Sequence, residues 1–406
     1  MSPRPDINAS HLRGISRLTF DGIGGLVGIV ETMHGNIAGH INPFTSRTRG
    51  RTRGITSLVY RSVRAITHLT GSGVDAALAL ADPVLAAKTS TPGREAWLAA
   101  LNGVLGDHLA ATGNPLAIPM RLRHGGQPLE LQRESLEKSI TPLNGRLALM
   151  VHGLCMNDLQ WSRDGHDHGV ALARDFGYSV LYLHYNSGRH ISINGRAFAD
   201  LLESLAAQWP VPLEELVIVG HSMGGLVARS ACHYASAAGH RWPVSLRRIV
   251  FLGTPHHGAP MERGGQWLHL ALSKSRYTAA FTPLGRIRSA GITDLRHGNL
   301  LDNDWQDRDR FEHAGDTRQA VPLPMGVACY AMGASLGKRE SDLKHRFLGD
   351  GLVPLDSALG RHKDPHRALP IPEGQRWVGH GMSHFDLLSK PDVYRQMSLW
   401  LQPQEA

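Results

Sequence analysis

The chain has 406 residues, 42% hydrophobic and 19% charged, which suits a globular protein with one large core and a smaller second region. A formal charge of +8 goes with only three cysteines (Cys155, Cys232, Cys329), far apart and without a CxxC pair, which excludes a disulfide framework and a cysteine-based zinc site. No run approaches the roughly 18 apolar residues of a membrane span, and residues 1–6 lead into no signal-peptide core, so a cytoplasmic protein is expected.

Residues 1–70 hold nine arginines against Asp6, Asp21 and Glu31, so most of the excess charge lies at this end. Arg47, Arg49, Arg51 and Arg53 alternate with small residues and read as a solvated loop. Nucleic acid is not an expected partner, because Phe44 and Tyr60 are the only aromatics nearby. Peripheral contact with an anionic membrane surface stays open. Apolar residues fall at helical spacing in three stripes. The first holds Ile23, Leu26, Val27, Val30, Met33 and Ile37; the second Ile55, Leu58, Val59, Val63, Ile66 and Leu69; the third Trp97, Leu98, Leu101, Val104, Leu105 and Leu109. Gly22, Gly24, Gly25 and Gly28 each cost a helix about 1 kcal/mol, which points to close packing on another helix. Residues 1–115 are therefore expected to form an N-terminal helical accessory region, and residues 116–406 the chemical domain.

From about residue 118 the pattern changes. Residues 122–124 and 128–132 suit an antiparallel pair, and short apolar runs follow at 146–151, 178–183, 216–219, 248–252 and 327–332. Helix-length segments at 194–209 and 223–238 separate some of them. Buried strands alternating with helices define an α/β fold, a mostly parallel sheet with helices on both faces. Residues 259–320 are a long insertion, in which Trp267, Leu268, Leu270, Leu272, Tyr277, Phe281, Leu284 and Ile287 form either an apolar lid or a small core of their own.

The central motif is Gly220-His221-Ser222-Met223-Gly224-Gly225, which follows an apolar strand and opens a helix. G-x-S-x-G in that context is a nucleophile elbow, a tight turn that presents Ser222 at the sheet edge. Such a serine needs a base, a group to orient the base, and amides for an oxyanion, with acid and histidine following it in the chain. His384, in a glycine-bearing loop before the last helix, is the expected base, and His380 its rival. Asp350, between Gly349 and Gly351, is the expected acid, with Asp302, Asp304 and Asp356 as alternatives. The oxyanion amides are expected from Met223 and from Leu154 in the loop His152-Gly153-Leu154-Cys155.

With Gly253-Thr254-Pro255-His256-His257-Gly258 and Ser383-His384-Phe385-Asp386, these motifs make residues 118–402 resemble a bacterial lipase, and more narrowly the GPI inositol-deacylase-like branch of the α/β-hydrolases. The resemblance implies the α/β-hydrolase fold with a helical lid or cap. It also implies hydrolysis of acyl or lipid-like esters through an acyl-enzyme, without cofactor or catalytic metal, on a small-molecule ester or lipid substrate. Some bacterial lipases hold calcium with an Asp at the place of Asp386; no second carboxylate matches, so a helix cap is expected there. His166-Asp167-His168 reads as a solvated loop, not a metal site. A thioesterase, amidase or acyltransferase would use the same triad, and a membrane-surface binding protein with a vestigial site is the alternative from another class.

Overall fold

The computed structural model describes residues 13–19, 92–259, 289–306, 318–337 and 349–402. The expected stripes at 23–37 and 55–69, and the lid positions from Trp267 to Ile287, lie outside the described residues. The chain divides into two compact units, one of residues 1–94 and 109–117, the other of residues 95–108 and 118–406. In the smaller unit residues 13–19 are helical, Asn114 Nδ2 donates to Gly14 O (3.0 Å) and Arg17 to Gly113 O (3.1 Å). Helix α1 (Pro92–Ala111) contributes to both units. Within the larger one, its Gly103 and Gly106 leave room for Cys155 and Asn186, with which a Cβ would collide. Asn102 Oδ1 accepts from Ile118 N (2.9 Å) and Asp107 Oδ2 from Ala290 N (2.9 Å). Residues 95–108 thus pack as part of the larger unit.

Among the described residues eight strands form one sheet: β1 (Arg121–His124), β2 (Gln127–Pro128), β3 (Arg146–Val151), β4 (Ser179–His184), β5 (Glu215–His221), β6 (Leu246–Leu252), β7 (Ala328–Ser335) and β8 (Arg376–His380). Their order is β2-β1-β4-β3-β5-β6-β7-β8, parallel from β4 to β8, with β1 antiparallel to both its neighbours. The β1–β2 turn puts Gly125 (φ 56°) and Gly126 (φ 77°) in the left-handed region that a two-residue hairpin requires. Leu147 to Val151, Leu216 to Val219 and Ile249 to Leu252 are almost wholly buried, as strands covered on both faces must be. At the sheet's other end Glu215 draws β3, β5 and β6 together through Arg146 (3.1 Å), Arg248 and the Tyr178 hydroxyl (3.0 Å).

Around the sheet lie α2 (Arg133–Ser139), α3 (His168–Phe176), α4 (Ile191–Gln208), α5 (Met223–Ala238), α6 (Ala290–His297), α7 (Leu355–Ala358) and α8 (Pro391–Leu401). Asp167 caps α3 by accepting from Gly169 N (2.7 Å) and Val170 N (3.1 Å), and Gly177 (φ 68°) ends it. Gly195 lets α4 lie directly on α5, since a Cβ there would strike Ser230. Among the described residues no helix is long and apolar enough to cross a membrane.

This is the α/β-hydrolase fold. The chain passes from β3 to β4 in one direction and returns across β3 to β5. The strand order reverses there, so the loops after β3 and β5 diverge and leave a crevice at their C-terminal ends. Those loops carry Leu154 and Ser222.

Candidate active site

The turn after β5 is built from backbone. Ser222 stands at φ 55°, ψ −122°, a conformation that costs a non-glycine residue about 1–3 kcal/mol. Its N–H donates to Leu252 O (2.8 Å) and its carbonyl accepts from Gly225 N (3.1 Å), so neighbouring backbone holds the strain. A Cβ on Gly220 would lie 2.6 Å from Gly225 Cα, and one on Gly224 would run into Val151 O. Strand, turn and helix close up only because these side chains are missing. Ser222 is completely buried, and its Oγ has no hydrogen-bond partner among the described residues.

The loop after β3 lies beside it. A Cβ on Gly153 would come within 3.1 Å of Ser222 Cβ. Residues following β4 hold this loop: Tyr185 Oη donates to His152 O (2.9 Å), and Ser187 Oγ accepts from Cys155 N (3.1 Å). Cys155 itself has φ 58°. Burial holds His152 down to about 3, so the ring is neutral, stacked on Tyr185 (4.4 Å) and hydrogen-bonded through Nδ1 to Gly153 O (2.9 Å). Among the described residues neither Leu154 N nor Met223 N meets an acceptor.

Asp350 and His384 come together from β7's far loop and the turn after β8. His384 Nδ1 lies 2.6 Å from Asp350 Oδ2, with both side chains buried. Asp350 Oδ1 accepts from Leu352 N (2.9 Å) and Val353 N (2.8 Å), and Asp350 O accepts from His384 N (3.2 Å). The carboxylate is thereby locked in one orientation. His384 opens a short 3-10 turn (His384–Leu388). Gly253 makes room for its ring; a Cβ there would lie 2.9 Å from His384 Cε1. His221, beside the serine, has its ring 4.7 Å from that of His384 and donates through Nε2 to His384 O (3.4 Å). Burial depresses the pKa of His221 far below the usual histidine range, so it adds no charge beside His384.

The alternatives sit elsewhere. His380 is exposed at the end of β8. Asp302 pairs with Arg196, Asp304 accepts from Leu300 N (2.8 Å) and Leu301 N (2.9 Å), and Asp356 lies in the first turn of α7. Asp386 Oδ2 accepts from Ser383 N (2.8 Å) and Ser383 Oγ (2.7 Å), while Oδ1 faces Lys390 Nζ at 3.9 Å. A carboxylate committed to a turn and faced by an ammonium does not fit a calcium ligand.

One expectation is corrected. His166-Asp167-His168 is no solvated loop: Asp167 caps α3 and accepts from Tyr182 Oη (2.7 Å), and His168 is fully buried. A stripe of polar residues reads as solvated unless its long-range partners are known. His168, Tyr185 and Ser187 escaped sequence reasoning for that reason, since their partners lie 32 or more positions away.

Residues 142–317, which include the elbow, match the family model described as PGAP1-like alpha/beta domain, in keeping with the resemblance drawn from the motifs. The mature Bacillus licheniformis lipase BlEst2 is similar at 16% identity over 70% of this chain and 97% of its own, with a TM-score of 0.41. Aspergillus fumigatus lipase B follows at 10% identity, 66% and 56% coverage and 0.38. The Pyrobaculum calidifontis esterase stands at 14%, 73% and 87% coverage and 0.37. No curated protein matches the chain.

Proposed function

We propose that this protein is a serine hydrolase that cleaves carboxylic esters of acyl or lipid-like substrates. Ser222 is the nucleophile, His384 the base, Asp350 the orienting acid, and the amides of Leu154 and Met223 the oxyanion donors. The observation that carries the reading is the buried 2.6 Å contact between His384 Nδ1 and Asp350 Oδ2, in a unit whose strained serine follows the central strand.

A carboxylate only accepts, so the proton of neutral His384 resides on Nδ1 and the lone pair on Nε2. Nε2 takes the Ser222 proton as Oγ attacks the ester carbon. The imidazolium that forms is stabilised by Asp350 in a site that excludes water. Collapse of the tetrahedral adduct expels the alcohol, which receives the proton from Nε2. Water, deprotonated by the same nitrogen, then releases the acid from Ser222. The serine–histidine contact tightens when substrate arrives, as it does in many such sites. Each oxyanion amide contributes about 3 kcal/mol to the transition state.

The test is labelling with a fluorophosphonate, followed by turnover of p-nitrophenyl esters of rising acyl length, with and without micelles. Labelling confined to Ser222 and ester turnover are expected. A protein that is folded yet neither labelled nor active would remove the reading, and turnover of thioesters or amides in preference to esters would move it to those classes.

A further inference from the structure

His384 rides on a single 3-10 turn, which is too short to fix its own place against the sheet. Two carbonyls of that turn accept from buried histidines outside it: His384 O from His221 Nε2 (3.4 Å) and Leu387 O from His168 Nε2 (2.9 Å). His168 Nδ1 in turn meets His166 Nε2 at 2.8 Å. We propose that His168, supported by His166, is a positioning residue for His384, holding the turn through the Leu387 carbonyl by its Nε2–H. The proposal rests on the hydrolase reading above.

The protonation logic follows from one carbonyl. Leu387 O can only accept, so His168 Nε2 carries hydrogen and, in the neutral ring, Nδ1 is bare. That nitrogen accepts from His166 Nε2–H, which sets the tautomer of the second ring as well. The donor is stiffly mounted. His168 is the first residue of α3, whose start Asp167 caps, and its ring stacks on Tyr394 of α8 (5.9 Å, 11° between planes). His166 is partly exposed beside Arg174 and Tyr394.

Protonating the two rings has unequal effects. His166 keeps its Nε2–H when charged, so the chain survives. A charged His168 would carry hydrogen on both nitrogens; it would still donate to Leu387 O, but His166 would have to turn to the tautomer with a bare Nε2 to keep the link to the surface ring. Burial lowers the pKa of His168 to about 4; the bond to Leu387 O opposes this by favouring the charged ring, and His166 adds a smaller lowering. The groups facing it are His166 and Asp167 from its own segment, Tyr394 from α8 and, more distantly, His221 from β5. Of these only Asp167 is negative, and its carboxylate is already engaged by Gly169 N, Val170 N and the Tyr182 hydroxyl.

His168→Ala, His168→Gln and His166→Ala separate positioning from bulk stability. Three readouts apply: kcat and KM on a p-nitrophenyl ester, the rate of fluorophosphonate labelling at Ser222, and the proton NMR signal of the His384 Nδ1–H. His168→Ala should lower kcat and the labelling rate by about tenfold with little change in KM, and shift or broaden the Nδ1–H signal. Glutamine has a donor for Leu387 O and an acceptor for His166, so His168→Gln should recover most of the rate. His166→Ala should fall between the two. The proposal is overturned if His168→Ala, or His166→Ala should the first fail to fold, leaves kcat, labelling and the Nδ1–H signal at wild-type values while only the melting temperature drops. It is equally overturned if His168→Gln is as slow as His168→Ala. Wild-type protein that neither labels nor turns over would instead defeat the hydrolase reading, and the Nδ1–H signal would still decide whether His168 holds His384.

Discussion

Ser222 and His384 are placed by opposite means. The serine turn is held by backbone: hydrogen bonds from its own peptide groups, and glycines whose missing side chains let β5, α5 and the end of β3 touch. The histidine turn is held by side chains from three other places, Asp350, His221 and His168, and by its own Ser383–Asp386 pair. Backbone geometry does not titrate and tolerates no added atoms. A turn hung on side chains tolerates added atoms but responds to protons. The two halves of the proposed pair should therefore fail under different insults.

The largest effect is expected at the serine. Ser222→Ala should abolish phosphonate labelling and lower turnover by up to about 10⁶-fold, leaving only binding and oxyanion contributions. Labelling that survives this substitution would place the nucleophile elsewhere. On the histidine side Asp350→Asn should keep the fold but cost up to about 10⁴-fold in turnover, because the wrong tautomer is then favoured. Near-normal turnover would transfer the acid role to Asp302, Asp304 or Asp356.

Glycines sharpen the contrast further. Gly224→Ala drives a methyl into Val151 O and should destabilise the protein by about 4 kcal/mol, or prevent it from folding. Gly381, before the histidine turn at φ 66°, has open space around a Cβ, so Gly381→Ala should cost only about 1–2 kcal/mol for its left-handed backbone. Equal melting temperatures for the two variants would contradict the comparison.

Acid should act on the buried histidines. In the fold His168 is held down to about 4 and His152 to about 3, both by burial, against about 6.5 in the unfolded chain. The unfolded chain therefore binds more protons between those limits, so stability is complete above about pH 6.5 and declines as pH falls toward 4 and then 3. His168 alone accounts for roughly 3 kcal/mol over that window. Urea midpoints measured from pH 7 to pH 4 check the sign, and His168→Gln should flatten the slope. A midpoint that rises on acidification would refute it.

The sequence made the elbow legible because its determinants are contiguous: an apolar strand, Gly220, Ser222, Gly224, Gly225 and a helix. The central strands were legible too, since burial on both faces demands unbroken apolar runs such as residues 146–151. Asp350 and His384 could be nominated from flanking glycines and chain order, but their 2.6 Å contact crosses 34 positions and appears only in the fold. The expected division at residue 115 rested on a change of pattern, whereas Gly103 and Gly106 pack on Cys155 and Asn186 through contacts that no periodicity encodes.

What the sequence by itself determined is the layering of the sheet, the place of the serine on it, and the residue types able to complete the chemistry. Local sterics and hydrophobic period set these, and both act over a few residues. Only the tertiary structure decided which histidine meets which acid, and that His168 is a buried donor and not a surface loop. Hydrogen bonds between side chains depend on distance and direction in space, and a one-dimensional pattern carries neither across a hundred residues.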